Sequence, residues 1–473
     1  MSGLLEDQPQ ESAPQEIPAD EELAPKVRVT KKLRKNNIVP QLLATGIVSW
    51  LDILVGYASA YSSPAESTMI RDLNLTKSEA SWISSLLPMG ALVSSLTGGP
   101  AVEFLGRKKT LIVADTIFLL AWSINYFSRN YWSMYASRIL SGCSVGITSF
   151  ALPVYLAETL QPKIRGRLGL FPTAFGNFGI LICFISGSFV EWRGLAGIGA
   201  LLSIPFLVAI WIVPETPRWY ISKKKNRRAR VSLQWLRGSK CDVTKEIEEL
   251  QYVKNNDKAT FARWHLKVFM IVLGLMFFQQ FSGINAVIFY TTKIFEKSGS
   301  FLDASVCTAI IGIVNFVSTF LAAVVVDKLG RKVLMYVSCT IMAFMLAILG
   351  VYFFLLDVKH MDLKLVEWLP LSCFILYVLG FSFGMGPIPW LMMGEILPAT
   401  IRGQAASMAA AFNWTCTFVI TKTFPLFVDS VGAHYAFWFF SVIMICSLVF
   451  LKLFVPETKK RTLEDIERIL SAN

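Results

Sequence analysis

Twelve apolar runs, each near the length of one membrane crossing, constrain this chain more than any other feature of its sequence. They fall at about 39–62, 80–101, 109–127, 131–153, 168–190 and 195–213, and again at about 266–290, 303–326, 332–356, 367–392, 403–424 and 431–455. A helix needs roughly 20 apolar residues to cross a bilayer, and an open chain in lipid satisfies its own backbone only as a helix. The expected fold is all-α and integral to the membrane, with twelve transmembrane helices in two sixes. Composition agrees: 54% of residues are hydrophobic and 16% charged, against about 25% charged in soluble proteins. The net charge of +12 sits in short basic clusters between the runs, which marks loops and excludes a nucleic-acid-binding face.

The same pattern divides the chain. Residues 1–38 are acidic and Pro-rich, then basic from Lys26 to Lys35, and read as a disordered cytoplasmic tail. Two six-helix halves follow at 39–213 and 266–455, joined by a hydrophilic linker at 214–265 with short helices, and residues 456–473 form a C-terminal tail. The first apolar run starts too late and is too long for a cleaved signal. Basic residues concentrate in the loops after runs 2, 4, 6, 8 and 10, which places both termini in the cytoplasm. Asn74-Leu75-Thr76 then lies outside as an accessible glycosylation sequon, whereas Asn413-Trp414-Thr415 is buried within a span. Seven of the eight cysteines fall inside apolar runs, so they read as scattered buried thiols. No metal spacing appears and no cofactor is expected.

The halves repeat each other. Glu103-x-x-Gly106-Arg107-Lys108 recurs as Asp327-x-x-Gly330-Arg331-Lys332, 224 residues on (330 − 106). Glu158 with Arg165-Gly166 recurs as Glu395 with Arg402-Gly403, 237 on (395 − 158), and Pro214-Glu215-Thr216 recurs as Pro456-Glu457-Thr458, 242 on (456 − 214). Parallel six-helix repeats with a site between them describe an alternating-access carrier. The charged motifs Arg107, Glu158, Arg165, Glu215, Arg331, Glu395 and Arg402 all lie at the cytoplasmic membrane face. Two readings stand: inter-helix ion pairs that gate the inside, or arginines that fix topology with carboxylates that merely solvate.

Polar groups inside spans are the other signal, because lipid gives them no partner. Gln279, Gln280 and Asn285 lie on span 7, where they sweep an arc of helix; Asn315 lies on span 8, Trp390 on span 10 and Asn413 on span 11. Amides donate and accept, and an aromatic face suits ring C–H groups, so together they fit a sugar. Interhelical glue, worth ~0.6 kcal/mol per bond on average, explains any one of them alone. Tyr290 is open between an outside gate and an aromatic interface belt.

The motifs just quoted, with Arg138 and Gly142, Pro153-x-Tyr155-x-x-Glu158, Pro214-Glu215-Thr216-Pro217-Arg218, Gln279-Gln280-x-x-Gly283-Ile284-Asn285 and Gly386-Pro387-Ile388-Pro389-Trp390, resemble the sugar porter branch of the major facilitator superfamily. Ser59 to Pro64 and Glu191-Trp192-Arg193 resemble insect trehalose transporter-like proteins and class III glucose transporters within it. The resemblance covers about residues 40–462 and implies the pseudo-symmetric major facilitator fold. It implies no enzymatic activity and assigns the span 7, 8, 10 and 11 residues above to sugar contact. It also implies a monomeric transport unit in the plasma membrane, carrying trehalose or a hexose facilitatively. The usual sugar-contacting glutamine of span 5 falls at Thr173, with Asn177 one turn on, which suits a different or larger sugar. The carboxylate of proton symporters would follow Gly56-Tyr57, where Ala58 stands. Asp52 is a lone carboxylate six residues earlier and keeps two alternatives open, proton coupling or a cavity-lining role. A non-transporting sensor is a further alternative, set against the short C-terminal tail.

Overall fold

The computed structural model describes residues 38–457 apart from 162–163, 165–167, 239–240, 257–262, 299–301 and 398–401. Both tails beyond that range, Arg165 and the Arg402 side chain lie outside the described residues. The first six apolar runs become α1 (Val39–Ala60) with its extension α2 (Ser62–Leu73), α3 (Lys77–Leu105), α4 (Arg107–Tyr126), α5 (Tyr131–Thr159), α6 (Phe171–Gly187) and α7 (Trp192–Ala209). Short helices α8 (Pro217–Ser222), α9 (Asn226–Arg237) and α10 (Thr244–Asn256) follow. The second six become α11 (Arg263–Gln280) with α12 (Ile284–Ser298), α13 (Ala304–Leu329), α14 (Arg331–Asp357), α15 (Leu369–Phe383) with α16 (Ile388–Ile396), α17 (Arg402–Val431) and α18 (Ala433–Leu453).

Nine helices among the described residues are long and apolar enough to cross a membrane. The other three spans are α4, α6 and α17. Arg107, Lys108, Lys109 and Asp115 lower the apolar content of α4, α6 is short, and Asn413, Thr417, Thr421 and Lys422 dilute α17. Large apolar side chains such as Leu96, Leu201, Val208, Phe344 and Val449 point outward, as a lipid-facing surface requires.

Packing repeats between the halves. In the first, α3 packs on α5, α4 on α7 and α1 on α6; in the second, α13 packs on α15, α14 on α18 and α11 on α17. Between the halves, α3 meets α17 and α6 meets α13. Small residues make the close approaches possible: a Cβ on Gly56 would collide with the Gly176 carbonyl, bringing α1 against α6.

Two spans depart from the expected continuous helices. Span 7 stops at Gln280 and restarts at Ile284, so Gln279 and Asn285 do not share one arc of helix. Gly283 sits at φ 91°, a region that side chains disfavour, and the Ser282 hydroxyl turns back to the Gln279 carbonyl at 2.6 Å. Span 10 breaks between Phe383 and Ile388, where Pro387 and Pro389 lack the N–H that would continue the ladder. The thiols also divide: Cys183, Cys307, Cys339, Cys373 and Cys416 are buried, but Cys446 is exposed on α18.

Candidate functional site

The two breaks face each other, and that juxtaposition builds the site. Breaking span 10 frees the carbonyls of Met385 and Gly386, and the Gln279 side-chain amide donates to them at 3.0 and 2.7 Å. The Gln279 oxygen accepts from Asn413 Nδ2 at 2.9 Å, and Gln280 Nε2 donates to Asn413 Oδ1 at 2.8 Å. Asn285, beyond the break, donates to the Gln280 oxygen and to Thr417 Oγ1 at 3.4 Å. Four amides from spans 7 and 11 thus form one network with alternating donors and acceptors. Gln279, Gln280 and Asn413 are buried and Asn285 half-buried. Trp390 stands half-buried at the start of α16.

Asn315 looks across to the other half. Its Nδ2 donates to Asn177 Oδ1 at 3.2 Å, while Asn177 Nδ2 donates to Thr319 Oγ1 at 2.6 Å. Ser382 from span 10 donates to Asn315 Oδ1 at 3.2 Å. Thr173 is half-buried one turn before Asn177 and forms no side-chain hydrogen bond among the described residues. Asp52, half-buried on α1, likewise forms no ion pair or side-chain hydrogen bond among them. Tyr290 is buried, bonds the Thr421 carbonyl at 2.8 Å and stacks on Phe424, so it is no part of a lipid-interface belt.

At the end of the molecule that carries the repeated motifs, each half braces itself. Arg107 donates to Glu158 at 2.9 Å and to Glu103 at 2.7 Å. Thr216 donates to the other Glu158 oxygen at 2.6 Å. Arg331 pairs with Glu395 at 3.0 Å. Glu215 receives the backbone N–H groups of Arg107 and Lys108 at 3.1 and 3.0 Å, which open α4. Glu457 receives those of Arg331 and Lys332 at 3.2 and 3.0 Å, which open α14. A carboxylate at a helix N-terminus is favoured by unpaired N–H groups and by the helix dipole. Burial pushes the Glu215 carboxyl above its usual range, while N–H donors from Thr216, Lys108 and Arg107 and the Arg107 charge pull it back. Among the described residues none of these pairs joins one half to the other. The role of Glu457 was not drawn from the sequence, although the repeated Pro-Glu-Thr carries it.

The opposite end holds contacts that no motif announces. Lys293 on α12 pairs with the buried Glu66 on α2 at 2.7 Å. Beside it, Ser63 and Thr292 share a hydrogen bond at 3.0 Å, and Lys422 lies 3.9 Å over the Trp82 ring. Each joins the first half to the second. A separate apolar pocket of about 180 Å³ between Phe281, Val419, Phe424 and Phe439 offers almost no polar surface and does not suit a polyol.

Two six-helix repeats with broken helices and a buried amide network at the breaks define a membrane carrier for a small polar solute. The chain belongs to the family described as "Sugar (and other) transporter", whose sequence profile matches residues 42–470. It is 50% identical over 446 residues to the facilitated trehalose transporter Tret1 of Polypedilum vanderplanki, covering 91% of this chain and 88% of that protein. It is 49% identical to Tret1 of Bombyx mori, covering 91% and 87%. Tret1 of Drosophila virilis is also 49% identical, but the chain spans only 48% of that longer relative. Among solved structures it is similar to the proton:xylose symporter XylE bound to 6-bromo-6-deoxy-D-glucose (TM-score 0.78, 25% identity, 91% and 98% coverage). It is also similar to XylE in a partially occluded inward-open conformation (TM-score 0.76, 25% identity, 89% and 99% coverage).

Proposed function

We propose that this chain carries trehalose, or a hexose such as glucose, down its gradient by alternating access. The observation that carries this reading is the network of Gln279, Gln280, Asn285 and Asn413 at the broken spans. It offers a sugar both donors and acceptors beside the broken helices, and Asn315, Thr173 and Trp390 are read as further contacts. The similarity to Tret1 proteins supports the disaccharide and the facilitative mode. The motif end is cytoplasmic in this reading, in keeping with its basic loops, and the protein is a monomeric transport unit of the plasma membrane. Arg107, Glu158, Arg165, Glu215, Arg331, Glu395 and Arg402 are read as the cytoplasmic gate, whose ion pairs hold the inside shut and are released when the halves rock; the pairing of Arg107 with Glu158 and of Arg331 with Glu395 supports this reading.

Uptake of labelled trehalose and glucose into vesicles, with and without a pH gradient, tests the proposal. Absence of uptake for both sugars refutes it. A second reading, proton symport through Asp52, draws on one observation: that carboxyl has no described partner within span 1. Sugar-driven alkalinisation of the vesicle exterior, lost in Asp52→Asn, distinguishes symport from the facilitative mode.

A further inference from the structure

We infer that Asn177 is the amide with which the first half recognises the sugar, and that its bonds across to Asn315 and Thr319 occupy the place that sugar hydroxyls take. This deepens the sugar-transport reading above and rests on it. Three described span amides belong to the first half. Gln41 is buried and accepts from Gln161 N at 3.0 Å, and Asn125 is buried beside the Tyr61 hydroxyl at 3.4 Å. Both serve contacts inside their own half. Asn177 alone among the three points across the interface, and it is half-buried.

The chemistry of the bridge fits replacement by a polyol. Asn177 donates to Thr319 Oγ1 at 2.6 Å and, more weakly, to the Asn315 carbonyl at 3.5 Å, and it accepts once, from Asn315 Nδ2 at 3.2 Å. When the halves rock apart along α6 and α13, these bonds break, and an amide at bilayer depth cannot stay unpartnered. One sugar hydroxyl donates and accepts at the same time and can replace the two shorter bonds. Asn315 remains oriented meanwhile, because Ser382 holds its oxygen at 3.2 Å. Thr173, one turn earlier and without a described bond, leaves room beside Asn177 for more of the solute. The interface thus trades a cross-half bridge for sugar contacts, and residue 177 is where the first half selects its substrate.

The test compares Asn177→Ala with Thr319→Val in trehalose and glucose uptake. Thr319→Val weakens the bridge but keeps the Asn177 amide for sugar. Asn177→Ala removes a hydrogen bond that the two sugars, differing in size and hydroxyl placement, use to different extents, so it should change the trehalose-to-glucose ratio of kcat/KM about tenfold, chiefly through KM. Thr319→Val should leave that ratio unchanged. The inference is overturned if both variants change uptake alike with the ratio preserved, since the bridge is then only helix packing. Should the alanine variant not fold, Asn177→Ser and Asn177→Gln carry the same comparison. Failure of the unmodified chain to take up either sugar overturns the transport reading, and this inference with it.

Discussion

Glu66 and Lys293 make the most direct test of how the halves meet. Glu66 is nearly buried on α2, whereas the Lys293 side chain on α12 is 47% exposed, and they approach to 2.7 Å. The second Glu66 oxygen is buried without a described partner, so the pair is only partly compensated for leaving water. A hydrogen bond to a charged group contributes about 1.5–3 kcal/mol net, and partial compensation places this one near the lower figure. Because the bond joins two halves, Glu66→Gln should shift the equilibrium about tenfold toward conformers open at this end, by the rule of ~1.4 kcal/mol per factor of ten. Lys293→Met should shift it further, because it strands a buried carboxylate, a loss of about 3–5 kcal/mol where no relief exists. Spin labels at the exposed Ser78 and Ser430, with Cys241 and Cys446 replaced, report the separation of the halves by double electron–electron resonance. Unchanged distance distributions, or a larger shift for Glu66→Gln than for Lys293→Met, refute the reasoning.

Other expectations follow from single contacts. Gln280→Ala strands Asn413 Oδ1 and removes one of the two bonds of the Asn285 amide, so kcat/KM for sugar should fall at least about tenfold, measured by initial-rate uptake. Gly106→Ala places a Cβ at φ 95° against the Glu215 carboxylate. It should destabilise the protein by about 1–2 kcal/mol from backbone strain alone, read as lowered thermal stability in detergent. Asn74 is exposed, with a left-handed backbone in the tight turn between α2 and α3. As an accessible sequon it should carry a glycan: protein made in a glycosylating cell should lose mass with an amidase specific for N-linked glycans, and Asn74→Gln should abolish that change.

Much of the site was legible because chemistry in lipid is unforgiving. Gln279, Gln280, Asn285 and Asn413 stood out as amides without a solvent, and the structure joins them in one network. Their geometry was not legible. A continuous span 7 would have kept Asn285 in a helical register with Gln280, but the turn at Gly283 resets its direction. Glu66 and Lys293 gave no signal, because each sits near a span end where a charge is ordinary. Asn177 was visible only as a neighbour of Thr173, since nothing local says which face of α6 meets α13.

The sequence by itself determined the membrane class, the twofold repeat and the residue types at the interface. Those follow from local rules: the apolar length of a crossing, the spacing of repeated charged motifs, and the rarity of amides at bilayer depth. Only the tertiary structure decided which helices break, which carboxylate opens which helix, and which polar groups face one another across the halves. Those depend on contacts between residues as far apart as Asn177 and Asn315, or Glu66 and Lys293. Hydrophobic periodicity carries no record of such pairings, because it marks at most which residues are polar and not which polar residue on another span each one meets.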